Sequence, residues 1–317
     1  MKLKKLFVVG LLALIATVGC SVVIVDPSSS TPGTSVDTSE TSSDSSDVTE
    51  VTAIKDVIDE IMPFGLGKGV CDDENPCVKD KTFTIEGYVV GYGDGNYALD
   101  PGQIYVQDEN GDSILLHSAK DLDKFSNELY LGKKIRATGV SDVYNGLPQL
   151  KGFDFEIIDD TIADVASFYT TVTINEVLDA EELESDLRGE YILGQYKFED
   201  LVVYTEPTTS GLTTFASLAD ILEGKPEDEV AKIGVYRFGQ IASMYLEPKI
   251  KVGDVVDLYA SLTAYGYGET DKNSIQLHAT RTSETFQAIV KKEVSPEVGA
   301  KLDAVAIVLQ DLVRNNQ

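Results

Sequence analysis

The run from Thr82 to Ile158 constrains this chain more than any other stretch. Apolar and polar side chains alternate with a period of two through TFTIEGYVVGY (82–92), QIYVQDENGDSILLH (103–117), LGKKIRATGVSDVY (131–144) and QLKGFDFEII (149–158), which predicts four or five strands. Phe83, Ile85 and Val89 fall on one face of the first strand, and Thr84, Glu86 and Tyr88 on the other. Gly87 interrupts that strand, as a bulge or sharp bend requires. Asn110-Gly111 reads as a two-residue hairpin turn with positive φ at both positions. A polar helical piece, SAKDLDKFSNELY, separates the third strand from the fourth. Five strands so arranged make a small Greek-key barrel.

The pieces EGYVVGY, IYVQDENGDSILLH and LGKKIRATGVSDVYNGLPQL, with their spacing, resemble the bacterial OB-fold domains found beside secreted nucleases and on cell-surface proteins. The resemblance covers Thr82–Ile158 and implies an OB-like barrel and a nucleic-acid ligand. One barrel plan serves many ligands, so the fold alone does not select one.

A second unit follows at a spacing of about 120 residues. Val57-Ile58 recur as Val177-Leu178, and Gly132 recurs as Gly253. Ile54, Val57, Ile58 and Ile61 sit at helical spacing before Pro63, and Thr173-Ile-Asn-Glu176 is a capping-box pattern. Each unit therefore reads as a short helix followed by a barrel. In the second, EYILGQYKFEDLVVY gives strand one, KIGVYRFGQIASMYLEP the central hairpin, and KVGDVVDLYASLTAY and NSIQLHATR the last two strands. On this reading residues 205–231 are an insertion with one or two short helices, and only EPKIKVG joins the third strand to the fourth. The chain divides into a signal peptide (1–19), a tether (20–51), helix plus barrel one (52–160), helix plus barrel two (161–287) and a C-terminal helix (288–317). The class is mainly β.

The start MKLKK, the apolar run LFVVGLLALIATV and Gly19-Cys20 form a signal-peptide pattern. It resembles a bacterial lipoprotein leader, with Thr17 where that family has Leu. The resemblance implies acylation of Cys20 and a place on the outer face of the cell membrane, where two acyl chains suffice for stable anchoring. Ser, Thr and Asp dominate the next segment, which cannot bury enough apolar surface to order itself and would span roughly 25–30 Å.

Charge narrows the function classes. The chain carries 26 basic and 53 acidic side chains, a formal −27. Residues 82–158 hold six bases against twelve acids, and residues 171–286 nine against twenty-one. A general single-strand binder lives on Lys and Arg neutralising phosphates, and neither barrel has that footprint.

Cys71 and Cys77 flank DDENP, and outside a membrane this pair reads as a disulfide, with a calcium site the lesser alternative. Neither the cysteines nor the two histidines, His117 and His278, have zinc-site spacing. No nucleophile motif, phosphate loop or HExxH occurs, so we expect neither catalysis nor a cofactor.

Tyrosines give the ligand expectation. Tyr88 and Tyr92 alternate opposite Phe83 and Ile85, and Tyr105 and Gln107 opposite Ile104 and Val106. They are expected to point outward onto the OB groove, framed by Tyr97 and Tyr144 in its loops, with Arg136 and Lys151 adding positive charge. Tyr236, Tyr245, Tyr265 and Tyr267 are the weaker counterparts in the second barrel. Such a platform would stack bases of a single-stranded nucleic acid or the faces of an oligosaccharide. A structural or protein-docking role is the other class. In the last helix, Ser295 caps Pro296, and Val298, Leu302, Val305, Leu309 and Leu312/Val313 form one stripe, facing either the second barrel or a protein partner.

Overall fold

A computed structural model describes residues 50–66, 71–92, 102–128, 130–144, 146–182, 192–245, 249–265, 274–280, 283 and 286–315. The leader, Cys20, almost all of the tether, Tyr97 and Tyr267 lie outside them.

The first unit opens with Val51, which bridges Thr84 in parallel, and with α1 (Ile54–Ile61). All four apolar positions read from the sequence are buried on α1. Cys71 and Cys77 are joined as a disulfide. The loop they close is held by Asp72, whose carboxylate accepts the N–H groups of Glu74 (2.9 Å) and Asn75 (2.7 Å).

Strands β1 (Thr82–Tyr92), β2 (Ile104–Gln107), β3 (Ser113–His117), β4 (Lys133–Tyr144) and β5 (Leu147–Ile162) close a barrel in the order β1-β2-β3-β5-β4. Helix α2 (Leu122–Glu128) lies between the third strand and the fourth, as expected. All pairings are antiparallel except β3 with β5.

Two local readings are corrected. The irregularity between β1 and β2 falls between Val89 and Gly91, not at Gly87, through which the pairing with β4 runs unbroken. Gly87 serves close approach instead, since a Cβ there would sit 2.7 Å from the Gln107 carbonyl oxygen and from Val106 Cγ1. At the hairpin only Gly111 has positive φ (94°). The Asp108 carboxylate accepts from the N–H groups of Asn110 (2.9 Å) and Asp112 (3.1 Å), so an Asx turn replaces a turn with both residues left-handed.

A 3-10 turn (Val165–Phe168) leads to β6 (Thr170–Val172) and α3 (Ile174–Glu182). Thr173 and Glu176 form the expected capping box: the Glu176 carboxylate accepts the Thr173 N–H at 2.7 Å, and the Thr173 hydroxyl accepts the Glu176 N–H at 3.2 Å. Then come β7 (Gln195–Val203), β8 (Leu212–Ser217), α4 (Leu218–Glu223), β9 (Lys232–Tyr236), α5 (Phe238–Tyr245), β10 (Val255–Tyr265) and β11 (Ser274–Ala279). Because β10 also pairs with β7, the five strands close in the order β7-β8-β9-β11-β10, with β9 and β11 parallel. This is the first barrel's order repeated. Even the lead-in repeats, for β6 runs parallel to β7 as Val51 does to β1. A last strand, β12 (Ile289–Lys292), joins β10.

The strand assignment in the second copy is corrected. LTTFAS, expected within the insertion, is the second strand, with Thr213 and Phe215 buried and Leu212 exposed. FGQIASMY, expected in the hairpin, is helical, and its Phe238, Ile241 and Ala242 are buried at helical spacing. Both barrels therefore carry a helix between their third and fourth strands. The true insertion, residues 218–231, lies between the second and third. Helix α4 within it is capped by the Ser217 hydroxyl and ends at Gly224 (φ 77°).

Helix α6 (Pro296–Asn315) starts at the predicted cap, with the Val298 N–H donating to Ser295 Oγ at 3.3 Å. Leu302 is buried with Val202 and Val255, so the first half of α6 packs on the second barrel. The side chains of Leu309, Leu312 and Val313 lie outside the described residues.

Candidate ligand face

The outer surface of β1 and β2, expected to carry the groove, is where the barrels meet. Ile104 and Val106 point into the first barrel, and Tyr105 between them leaves it toward the second. There its hydroxyl lies 3.2 Å from His278 Nδ1, and the ring is fully buried. The Ser113 hydroxyl donates to the Leu193 carbonyl, Gln195 Nε2 donates to the same oxygen at 3.0 Å, and Ser261 Oγ donates to Gln195 Oε1 at 2.7 Å. The Tyr169 hydroxyl donates to the Val90 carbonyl at 2.7 Å and lies 2.9 Å from Thr280 Oγ1; burial pushes it far above the ordinary phenol range. Its ring packs on Tyr259 (5.1 Å) and Phe286 (5.9 Å). Tyr169, Ile192, Leu193 and Phe286 thereby belong to the first barrel's core cluster.

The expected platform is corrected residue by residue. Tyr105 is outward but covered. Tyr92 pairs with Ile104, because the slip at Val90 reverses the alternation, and it is buried on the core side. Tyr88 is half-buried, its ring 5.0 Å from Phe168 and under Lys134 Nζ at 5.3 Å. Gln107 is buried, with Nε2 donating to the Gly111 carbonyl at 3.1 Å and Oε1 without a partner among the described residues. Arg136 is held by Glu86 and Glu156, its guanidinium nitrogens 2.5–2.8 Å from their carboxylates. Lys151 stays exposed, 3.4 Å from Asp142, and Tyr144 is 64 % exposed at the β4–β5 turn. Among the described residues of the expected platform, only Tyr144 and Lys151 are exposed.

The corresponding face of the second barrel is more open. Across β8 and β9, Leu212 pairs with Tyr236, Thr214 with Gly234 and Ala216 with Lys232. Leu212 is 46 % exposed and lies over Gly234, where a Cβ would meet Leu212 Cδ1 at 2.9 Å. The Arg237 guanidinium sits 4.9 Å from the Tyr236 ring centre, and the His278 ring lies 5.8 Å from it. The loop between β7 and β8 is fixed beside them, with Arg237 N–H donating to the Gly211 carbonyl and Gly239 N–H to that of Thr208, both at 2.8 Å. Tyr236, expected as a weaker counterpart of the first-barrel tyrosines, is the aromatic residue of this face. Its signal was Arg237 directly after it. The side chains of Tyr245 and Tyr265 lie outside the described residues.

The histidines do not occupy matching places. His117 ends the third strand of its barrel, 2.7 Å from Ser118 Oγ, whereas His278 lies in a fifth strand, where Lys151 stands in the first barrel. Among the described residues no three His, Cys, Asp or Glu side chains are grouped to hold a metal ion.

The strand order, the parallel closure and the helix after the third strand define a tandem OB-like barrel protein. No protein-family model matches the chain, and neither does any curated protein. Solved structures similar to parts of it include a replication protein A heterotrimer bound to single-stranded DNA, at 10 % identity over 73 % of this chain and 70 % of that one, with a TM-score of 0.22. Another is a deletion mutant of the single-stranded DNA binding protein from Thermus aquaticus, at 12 % identity over 69 % of this chain and 98 % of that one, with a TM-score of 0.19.

Proposed function

We propose that this is a non-catalytic binding module, held at the outer face of a bacterial membrane through Cys20, that takes a short single strand of nucleic acid on the β8–β9 face. The observation that carries the choice of face is the burial of Tyr105 against His278. The first barrel's groove is used to join the barrels, while Leu212 remains exposed beside Tyr236 and Arg237. The Arg237 guanidinium lies 4.9 Å from the Tyr236 ring centre, so aromatic and guanidinium surface stand together there. Stacking on such a surface contributes about 1–3 kcal/mol per base and tolerates any sequence.

The acidic balance keeps the footprint to a few nucleotides, and binding falls with salt in proportion to the few phosphates contacted. Fluorescence anisotropy of a labelled oligothymidine at low and moderate salt tests this. Binding should be lost in Tyr236→Ala and kept in Tyr144→Ala. No binding at low salt, or an unaffected Tyr236→Ala, removes the reading.

A second reading, an oligosaccharide on the same platform, is favoured by the partial neutralisation of Lys232 on that face, 3.8 Å from the Glu227 carboxylate. Sugar binding would show little response to salt.

A further inference from the structure

Helix α6 leaves a half-open cavity of about 320 Å³ against the second barrel. Ile221, Val230, Ala304, Val305 and the Tyr204 ring wall it, with Lys225 and Glu227 at the rim. It exists because of the insertion between β8 and β9, which the first barrel lacks. A Cβ on Gly224, which also lines it, would meet nothing within 4 Å. The volume is at the small end of the ~300–1,000 Å³ of ligand pockets, which combine apolar walls with a few polar groups.

The rim sets the sign of the ligand. Lys225 is committed to the buried Asp220 carboxylate at 2.5 Å, with Glu223 3.9 Å away. Lys232 Nζ lies 4.6 Å from the Tyr204 ring centre, donates to the Glu227 carbonyl at 2.8 Å and lies 3.8 Å from the Glu227 carboxylate. Three carboxylates thus face two ammonium groups. Burial first, and then Glu227, which the hydroxyl meets, push Tyr204 up to about 12, so it stays a neutral donor. The corner already holds one ammonium between an aromatic face and a carboxylate, which is how proteins recognise organic cations.

We infer that this cavity binds a small amphipathic cation, its short hydrocarbon tail among Ile221, Val230, Ala304 and Val305 and its ammonium head at Glu227. The inference is independent of the β8–β9 face. Each methylene buried would add about 0.8 kcal/mol, so the tail supplies affinity and the head selectivity.

Calorimetric titration with hexylamine, hexanol and hexanoate at neutral pH tests it. Hexylamine should bind more tightly than hexanol, and about tenfold or more above hexanoate. Ala304→Phe, which fills the cavity, should abolish amine binding. Glu227→Gln at the solvent edge should bring amine and alcohol to similar affinity, and it decides the matter should the filled variant not fold. Absence of amine binding, equal binding of hexanoate, or an amine preference that survives Glu227→Gln would overturn the assignment.

Discussion

Asp220 is a single carboxylate on which a whole insertion hangs. It is buried at the start of α4, accepts the Ala231 N–H at 2.9 Å and Lys225 Nζ at 2.5 Å, and so ties both ends of residues 218–231 together. Burial alone would raise its pKa, but the bonds from Lys225 and the Ala231 N–H outweigh it and hold the group below its ordinary value. A depressed folded-state pKa gives stability that is present above the unfolded value, near 3.9, and is lost as pH falls through the folded value. Asp220→Asn should therefore cost about 1–3 kcal/mol at pH 7 in urea denaturation. The gap to the parent should narrow as pH falls below about 4, where the unfolded chain takes up the proton before the folded one does. At this scale the sequence was readable wherever the partner was local, as at the Thr173–Glu176 box and the Ser295 cap. Tyr92 was misplaced because one extra residue at Val90 inverts every later side chain, and nothing in GYVVGY announces which residue bulges.

Among the elements, α6 shows the value of an end. Its cap bond, from the Val298 N–H to Ser295 Oγ, secures the turn that brings Leu302 onto Val202 and Val255. Ser295→Ala is expected to lower stability by about 0.5–2 kcal/mol, read as a shift in the thermal midpoint. The strands of the first barrel were legible because alternation runs through most of its length and its turns carry glycine. The second barrel was legible only in part. LTTFAS is short and sits between Pro-Thr-Thr-Ser-Gly and a helix, so its alternation spans barely three pairs. FGQIASMY holds apolar residues that suit either period over so few positions. The helical spacing of Phe238, Ile241 and Ala242 was present, and the strand-rich context outweighed it.

The whole molecule turns on how the barrels meet. Gly91 lies in that contact, and a Cβ there would come 2.8 Å from Thr280 Oγ1 and 3.3 Å from the Tyr169 hydroxyl. Gly91→Val should drive a wedge between the barrels and cost about 1–3 kcal/mol in chemical denaturation. A variant as stable as the parent would mean that the barrels do not pack there. The sequence by itself determined the two barrels, their lead-in helices, the Cys71–Cys77 loop and the C-terminal cap, because each follows from hydrogen bonding and apolar spacing within a few residues or within one repeat. Only the tertiary structure decided that Tyr105, on the first barrel's outer face, is covered. An apolar residue pointing away from its own core reads the same in sequence whether water or a neighbouring barrel lies beyond it. What selects between them is the fit of Tyr105 to His278 and of Gly91 to Thr280, across more than 170 residues of chain.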